Sequence, residues 1–280
     1  MSTSFANRLA EALARYGPLC VGLDPHPGLL ADWGLPDDAS GLRTFAERVL
    51  DAAAGRCAAV KPQAAFFERH GADGVRVLEE VLLGCRDRGL LSVLDAKRGD
   101  IGSTMTAYAE AYLADGAPLA ADSVTLSPYL GYGSLRPAID LARATGRGVW
   151  VLGLTSNPEG ASVQQVGSPT VAARVVEQVA ADNAGTSPFG DVGLVVGATL
   201  ADPPSALGLD LRAAAAPVLA PGVGAQGASG ADLLRLFAGL TDRILVPVSR
   251  AILAAGPGER ALAEAVTTWS DGLRADLATG

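Results

Sequence analysis

The chain has few of the residues that build metal sites, catalytic triads or aromatic cores. Aromatic residues are 5% of the 280 positions, and only two histidines and three cysteines occur. A 49% hydrophobic composition with so few rings must pack its interior from Ala, Val, Leu and Ile between helices and strands. Cys20, Cys57 and Cys85 are widely spaced and form no C-x-x-C pair, which argues against a zinc site and fits a reducing compartment. His26 and His70 stand apart without clustered partners, which speaks against a histidine metal centre or a Ser-His-Asp triad. The longest uncharged stretch, 213–231, is broken by Pro217, Pro221 and several glycines, so it reads as no membrane helix. Residues 1–16 carry Arg8, Glu11 and Arg15 among apolar positions, the pattern of an amphipathic helix and not of a signal peptide. A net charge of -8 and a pI near 4.8 argue against nucleic acid or an anionic membrane as partner. The expectation is a soluble cytoplasmic protein in which any anionic ligand is held by local cations and backbone amides.

What the sequence does hold is alternation. Short apolar runs fall at 19–23, 58–61, 90–94, 123–126, 148–154, 192–197, 217–220 and 244–248. Segments with apolar residues at three- and four-residue spacing lie between them, at 41–56, 74–88, 104–114, 135–144, 171–183, 204–216 and 231–240, and a last one covers 259–278. Strands alternating with helices pair in parallel through right-handed crossovers, and eight such units predict a closed (β/α)8 TIM barrel with an N-terminal helix. No G-x-G-x-x-G follows the first run, where a dinucleotide fold would place it. No domain-scale linker is visible, so residues 1–280 read as one domain. The Pro/Gly/Ser-rich stretches 25–40 and 157–170 each follow a strand and read as long loops at one end of the barrel.

Barrels carry their chemistry at the C-terminal strand ends, and here those ends are polar. The first run ends at Asp24, the second at Lys61 and the third at Asp95-Ala96-Lys97. The fifth ends at Thr155-Ser156-Asn157 and the eighth at Ser249-Arg250. Side chains two apart on a strand share a face, so Asp95 and Lys97 project with Leu91 and Val93 toward an interior. An isolated D-x-K is more often a structural ion pair, because structural networks also perturb charges. Two cations and two anions around one mouth make a different pattern, suited to stabilising a charged transition state. A Gly-rich stretch after the seventh run, with Pro221, Gly222, Gly224, Gln226 and Gly227, faces Arg250 after the eighth, the corner where barrels commonly bind phosphate.

With these residues together, the chain resembles the orotidine 5'-phosphate decarboxylase family. The signature D-x-K-x-x-D-I-x-x-T is present whole as Asp95, Lys97, Asp100, Ile101 and Thr104. It is joined by Gly22-Leu23-Asp24, Val60-Lys61-Pro62, Pro221-Gly222 and Ser249-Arg250, and the loop from Thr155 to Gly160 resembles the longer bacterial branch. The resemblance implies a homodimeric barrel with shared active sites that converts orotidine 5'-monophosphate to UMP and CO2 without metal or organic cofactor. It implies that Lys97 protonates C6, that Asp95 faces the substrate carboxylate and that Lys61 and Asp100 complete the charged array. Asp100, Ile101 and Thr104 would reach the neighbouring subunit's site. Asp24 and Lys61 would bind ribose hydroxyls, Ser156 the pyrimidine, Gln226 and Arg250 the phosphate, with Pro221 a further substrate contact. The loop at 222–230 departs from the longer gripping loop of the compact branch. Two rivals remain open: a magnesium-dependent sugar-phosphate decarboxylase or aldolase of the same suprafamily, which places an acid where this chain has Lys61, and a non-catalytic nucleotide-phosphate sensor, which needs the phosphate corner only.

Overall fold

Each of the apolar runs becomes a parallel strand, and the strands close on one another. In a computed structural model that describes residues 3–224 and 227–278, they are β1 (Leu19–Leu23), β2 (Ala59–Pro62), β3 (Leu91–Arg98), β4 (Ser123–Leu126), β5 (Gly148–Leu154), β6 (Val192–Val196), β7 (Val218–Leu219) and β8 (Ile244–Val248). Neighbours pair in order, and β8 returns to β1 through Leu19 opposite Val246 and Val21 opposite Val248, completing the expected barrel. All pairings are parallel.

The two-residue period of each strand sorts its side chains into two cores. One residue set points outward to the helices, as do Val21, Val60, Leu94 and Val124 in the larger buried cluster. The alternate set fills the barrel: Cys20, Ala59, Val93, Trp150, Val195, Leu219 and Leu245. Phe5, Ala6 and Leu9 of the N-terminal helix (Phe5–Tyr16) join this inner set and close the end of the barrel opposite the C-terminal strand ends. Phe5 meets Trp150 edge-to-face with ring centroids 6.0 Å apart, and the Trp150 indole N–H donates to Ser123 Oγ at 2.9 Å. Asp191 Oδ1 accepts the Ala6 N–H at 2.8 Å, and Arg8 pairs with Asp122, tying the plug to the barrel wall.

Scarcity of rings makes these two side chains consequential, because small residues must make way for them. A methyl group on Gly193 would lie 2.4 Å from Trp150 Cε3, and one on Gly148 would lie 2.1 Å from Phe5 Cδ1.

Most helices fall where the periodicity puts them, with ends set by local chemistry. Ala39–Ala53 begins at Asp38, whose carboxylate accepts from the Ser40 and Gly41 N–H groups. Gly71–Asp87, Gly102–Leu113, Arg136–Ala144, Val171–Asp182, Gly230–Leu236 and Glu259–Ala278 follow. The segment at 204–216 does not. Only Pro204–Leu207 is helical there, as a 3-10 turn, and Gly208 ends it at φ 76°. The Asp210 side chain then captures the Ala213 N–H at 2.9 Å, and Ala215 sits at φ 45° before Pro217. Prolines at both ends and an Asp that competes for backbone donors defeat the alanine-rich composition. The 25–40 loop holds a short helix, Pro27–Asp32, and Ala64–Glu68 and Arg250–Leu253 are further short helices directly after strands. No helix among the described residues is long and apolar enough to cross a membrane.

Gly193→Ala should lower stability by roughly 1–3 kcal/mol, since the Trp150 ring cannot move without opening the inner core. Urea unfolding monitored by tryptophan fluorescence checks this; an unchanged midpoint would contradict the packing described.

Candidate active site

Strand period continues the inner face upward into charge. Above Cys20 on β1 come Gly22 and then Asp24; above Ala59 come Lys61 and Gln63; above Val93 come Asp95 and Lys97; above Ser123 comes Thr125. The expected residues Asp24, Lys61, Asp95 and Lys97 therefore gather at one mouth, with Asp95 at their centre.

The Asp95 carboxylate is surrounded by donors. Oδ2 accepts from Lys61 Nζ at 2.9 Å, and Oδ1 accepts from Lys97 Nζ at 2.5 Å and from the Thr125 hydroxyl at 3.0 Å. The Gln63 amide nitrogen, facing two acceptors, donates to Asp95 Oδ2 at 2.8 Å and to its carbonyl at 3.0 Å. Asp95 and Lys61 are about nine-tenths covered, with side chains 11% and 10% exposed, while Lys97 is 45% exposed at the mouth. Burial alone would raise the Asp95 carboxyl, but attraction to Lys61 and then Lys97 outweighs it and holds the group well below the usual carboxylate range. Burial would likewise lower the Lys61 ammonium; Asp95 and Asp24 reverse that and push it above its ordinary value. Lys61 Nζ lies 4.0 Å from Asp24 Oδ1, an ion pair without a hydrogen bond. Asp24 Oδ1 and Ser249 Oγ are buried without a hydrogen-bond partner among the described residues. Ser249 packs against Gly22, where a methyl group would lie 2.7 Å from Ser249 Cβ.

The strand that carries Asp95 and Lys97 is irregular at that point. Leu94 pairs with Val124, but the next partner of β4 is Arg98 opposite Leu126, so the β3 register shifts across these residues. Lys97 itself has φ 47°, a left-handed conformation that a side-chain-bearing residue adopts at a cost. Bulges at barrel rims commonly aim a side chain, and this one returns the Lys97 ammonium to Asp95.

Other expected residues stand apart from this cluster. Asp100 accepts the Ile101 N–H at 2.8 Å, and Ile101 (62% exposed) and Thr104 face outward at the start of Gly102–Leu113. No hydrogen bond or ion pair among the described residues joins the three to Asp95. Ser156 is exposed on the loop after β5, beside Gly197, where a methyl group would lie 2.9 Å from Ser156 Cβ. That loop is fixed at its base by Gln164, which accepts the Thr155 N–H and donates to the Thr155 hydroxyl, both at 2.8 Å. Where the sequence predicts a phosphate corner, Pro221 accepts the Ala198 N–H at 2.8 Å through its carbonyl. Gly222 lies at φ 123° and Gly224 at φ 78°, and the Ala228 N–H donates to the Gly222 carbonyl at 3.2 Å. Gln226 lies outside the described residues. Arg250 opens Arg250–Leu253, exposed and in no ion pair among the described residues.

Two contributors escaped the sequence reading, Gln63 and Thr125. Both were within reach of the same period: Gln63 is two beyond Lys61, and Thr125 two beyond Ser123. Inspecting only the last polar residue of each run passes over a threonine enclosed by Val124 and Leu126 and a glutamine behind Pro62. Among the described residues no cluster of His, Cys, Asp and Glu is arranged to hold a metal ion.

Residues 17–265 match the model of the family described as "Orotidine 5'-phosphate decarboxylase / HUMPS family". The chain is 55% identical over 262 residues to the orotidine 5'-phosphate decarboxylase of Salinispora arenicola, covering 92% of this chain and 93% of that one. It is 52% identical over 274 residues to the enzyme of the same name from Streptomyces coelicolor, covering 96% and 97%. A crystal structure from Streptomyces avermitilis superposes with a TM-score of 0.94 at 51% identity, covering 99% of this chain and 97% of that one. The Leishmania donovani OMP decarboxylase superposes at 0.75 with 34% identity, covering 97% and 99%.

Asp95→Asn leaves the Lys61 ammonium buried without its closest anion and should cost about 3–5 kcal/mol at pH 7. Because the folded carboxyl lies below its unfolded value near ~3.9, the unfolded chain takes up the proton first as pH falls. The stabilisation is thus complete above roughly pH 5 and fades toward the folded value. Urea unfolding at pH 7 and pH 3 should show the gap between wild type and variant shrinking at pH 3; an equal or wider gap there contradicts this electrostatic assignment.

Proposed function

The chain belongs to the orotidine 5'-phosphate decarboxylase / HUMPS family, and from that premise we propose that it converts orotidine 5'-monophosphate to UMP and CO2 in de novo pyrimidine synthesis. The observation that carries the reading is the alternating line Asp24, Lys61, Asp95, Lys97 at the ends of β1, β2 and β3. It is a single-domain barrel over residues 1–280, a cytoplasmic homodimer that works without metal or organic cofactor.

Loss of CO2 breaks the C6–carboxylate bond and leaves the electron pair on C6, with no adjacent carbonyl to delocalise it. A fixed ammonium at C6 is the stabiliser such a site needs. Lys97, half-exposed at the mouth and tethered to Asp95, is that ammonium: its proton passes to C6, and the resulting amine recovers one from solvent. Asp95 faces the departing carboxylate. Its oxygens are already saturated by donors, so it meets the substrate's carboxylate as a fixed anion, and the repulsion falls as CO2 leaves neutral. Asp24 presents a buried oxygen, ion-paired with Lys61 but making no hydrogen bond among the described residues, suited to ribose hydroxyls. Arg250, with Gln226 and the glycines after Pro221, takes the phosphate, and Ser156 takes the pyrimidine. Asp100, with the exposed Ile101 and Thr104, completes the partner's site across the dimer.

The magnesium-dependent rivals place an acid where Lys61 stands. A cation there, held by Asp24 and Asp95, suits a substrate anion better than a metal.

Ultraviolet absorbance of orotidine 5'-monophosphate incubated with the protein in excess chelator tests the reaction. Rapid conversion to UMP is expected, and a folded dimer that binds UMP without converting the substrate would refute it. Lys97→Ala should lose turnover by ~1,000-fold or more while still binding UMP. Near-normal turnover would remove Lys97 as the acid. Mixing inactive Asp100→Ala with inactive Lys61→Ala subunits should restore part of the activity, since one interface site regains both residues; no recovery despite proven subunit exchange would refute action in trans.

A further inference from the structure

Three contacts close a ring through one hydroxyl. Thr125 Oγ1 accepts the Lys97 backbone N–H at 2.9 Å and donates to Asp95 Oδ1 at 3.0 Å, and the same Oδ1 accepts from Lys97 Nζ at 2.5 Å. The ring therefore joins the main chain of Lys97 to its own ammonium by way of β4 and Asp95.

The register shift on β3 explains why such a device is needed. Between Leu94 and Arg98 the strand leaves regular pairing with β4, and the Lys97 N–H finds a side chain where the ladder would have offered a carbonyl. Thr125 is 1% exposed, so water cannot take over this bond without opening the barrel. Its one proton is directed to Asp95, because Lys97 occupies an acceptor position of the same oxygen. The Lys97 backbone is thereby held at φ 47°, outside the strand region.

On the other carboxylate oxygen, Lys61 and Gln63 donate at 2.9 and 2.8 Å independently of Thr125. Removing the Thr125 hydroxyl therefore leaves Asp95 held by Lys61, Gln63 and Lys97 but breaks the link between that carboxylate and the Lys97 N–H, so the Lys97 turn is free to relax. Aim is lost before charge is.

We propose that Thr125 is a positioning residue for proton transfer: its hydroxyl locks the Lys97 backbone and the Asp95 carboxylate into the one geometry that points the ammonium at C6. The proposal rests on Lys97 being the acid. Thr125 lies one level below the mouth, so its effect falls on the chemical step and not on substrate binding.

Thr125→Val keeps the shape and removes the hydroxyl; Thr125→Ser keeps the hydroxyl and loses a methyl. For Thr125→Val, kcat should fall ~10–100-fold while KM and UMP affinity stay within about twofold. Thr125→Ser should recover most of the loss, which a purely structural role for the side chain's bulk would not produce. Unchanged kcat in Thr125→Val, a Thr125→Ser variant as slow as Thr125→Val, or a rise in KM alone would each overturn the proposal. Should Thr125→Val fail to fold, Thr125→Ala gives the same comparison with Thr125→Ser. Lys97→Ala separates the two claims. If it is inactive while Thr125→Val is fully active, only the positioning role falls; if Lys97→Ala itself is active, the acid assignment falls and this proposal with it.

Discussion

One buried carboxylate with every oxygen position answered by a donor organises this protein's chemistry. Asp95 is stable as an anion inside a barrel only because Lys61, Lys97, Thr125 and Gln63 surround it. Lys61 is stable as a buried cation only because Asp95 and Asp24 flank it. Neither charge stands without the other, and the pair forms a rigid base from which Lys97 extends into the mouth. The field is in place before any ligand arrives, so little reorganisation is left for a reaction that develops charge at the mouth.

The barrel supplies the geometry that such an array requires. Parallel strands with a two-residue period place Asp24, Lys61 and Asp95 on the inner face at successive strand ends, while Val93 and the other inner residues below them exclude water. At the far end, Phe5 and Trp150 seal the interior from solvent. Regular strand geometry stops short of what Lys97 needs. The β3 irregularity and its left-handed residue are the local departure, and Thr125 on the neighbouring strand is the group that meets it.

Much of this was readable from the chain. The barrel follows from the order of apolar runs and amphipathic segments, and the charged array from polar residues at run ends. The structure brings Asp24, Lys61, Asp95 and Lys97 together as that reading expects, whereas Asp100, Ile101 and Thr104 make no hydrogen bond or ion pair with that cluster among the described residues. The segment at 204–216 looked helical because alanine dominates it, yet Pro203, Gly208 and Asp210 decide its conformation through backbone competition that composition does not express. β3 runs on to Arg98 instead of ending where its apolar run ends, since charge is tolerated in a strand whose inner face opens on a polar mouth. Thr125 was hidden for a related reason. A threonine inside an apolar strand looks like a β-former, and only its pairing across the irregular register gives it a task.

Asp95 stays ionised by virtue of its neighbours, and carboxyl carbon-13 NMR measures this directly. With aspartate labelled, the Asp95 resonance, identified by its absence in Asp95→Asn, should not titrate between pH 7 and pH 3 in the folded protein. A titration midpoint near the ordinary aspartate value of ~3.9, or above it, would mean that burial wins over the lysines and that the array is not the fixed field described.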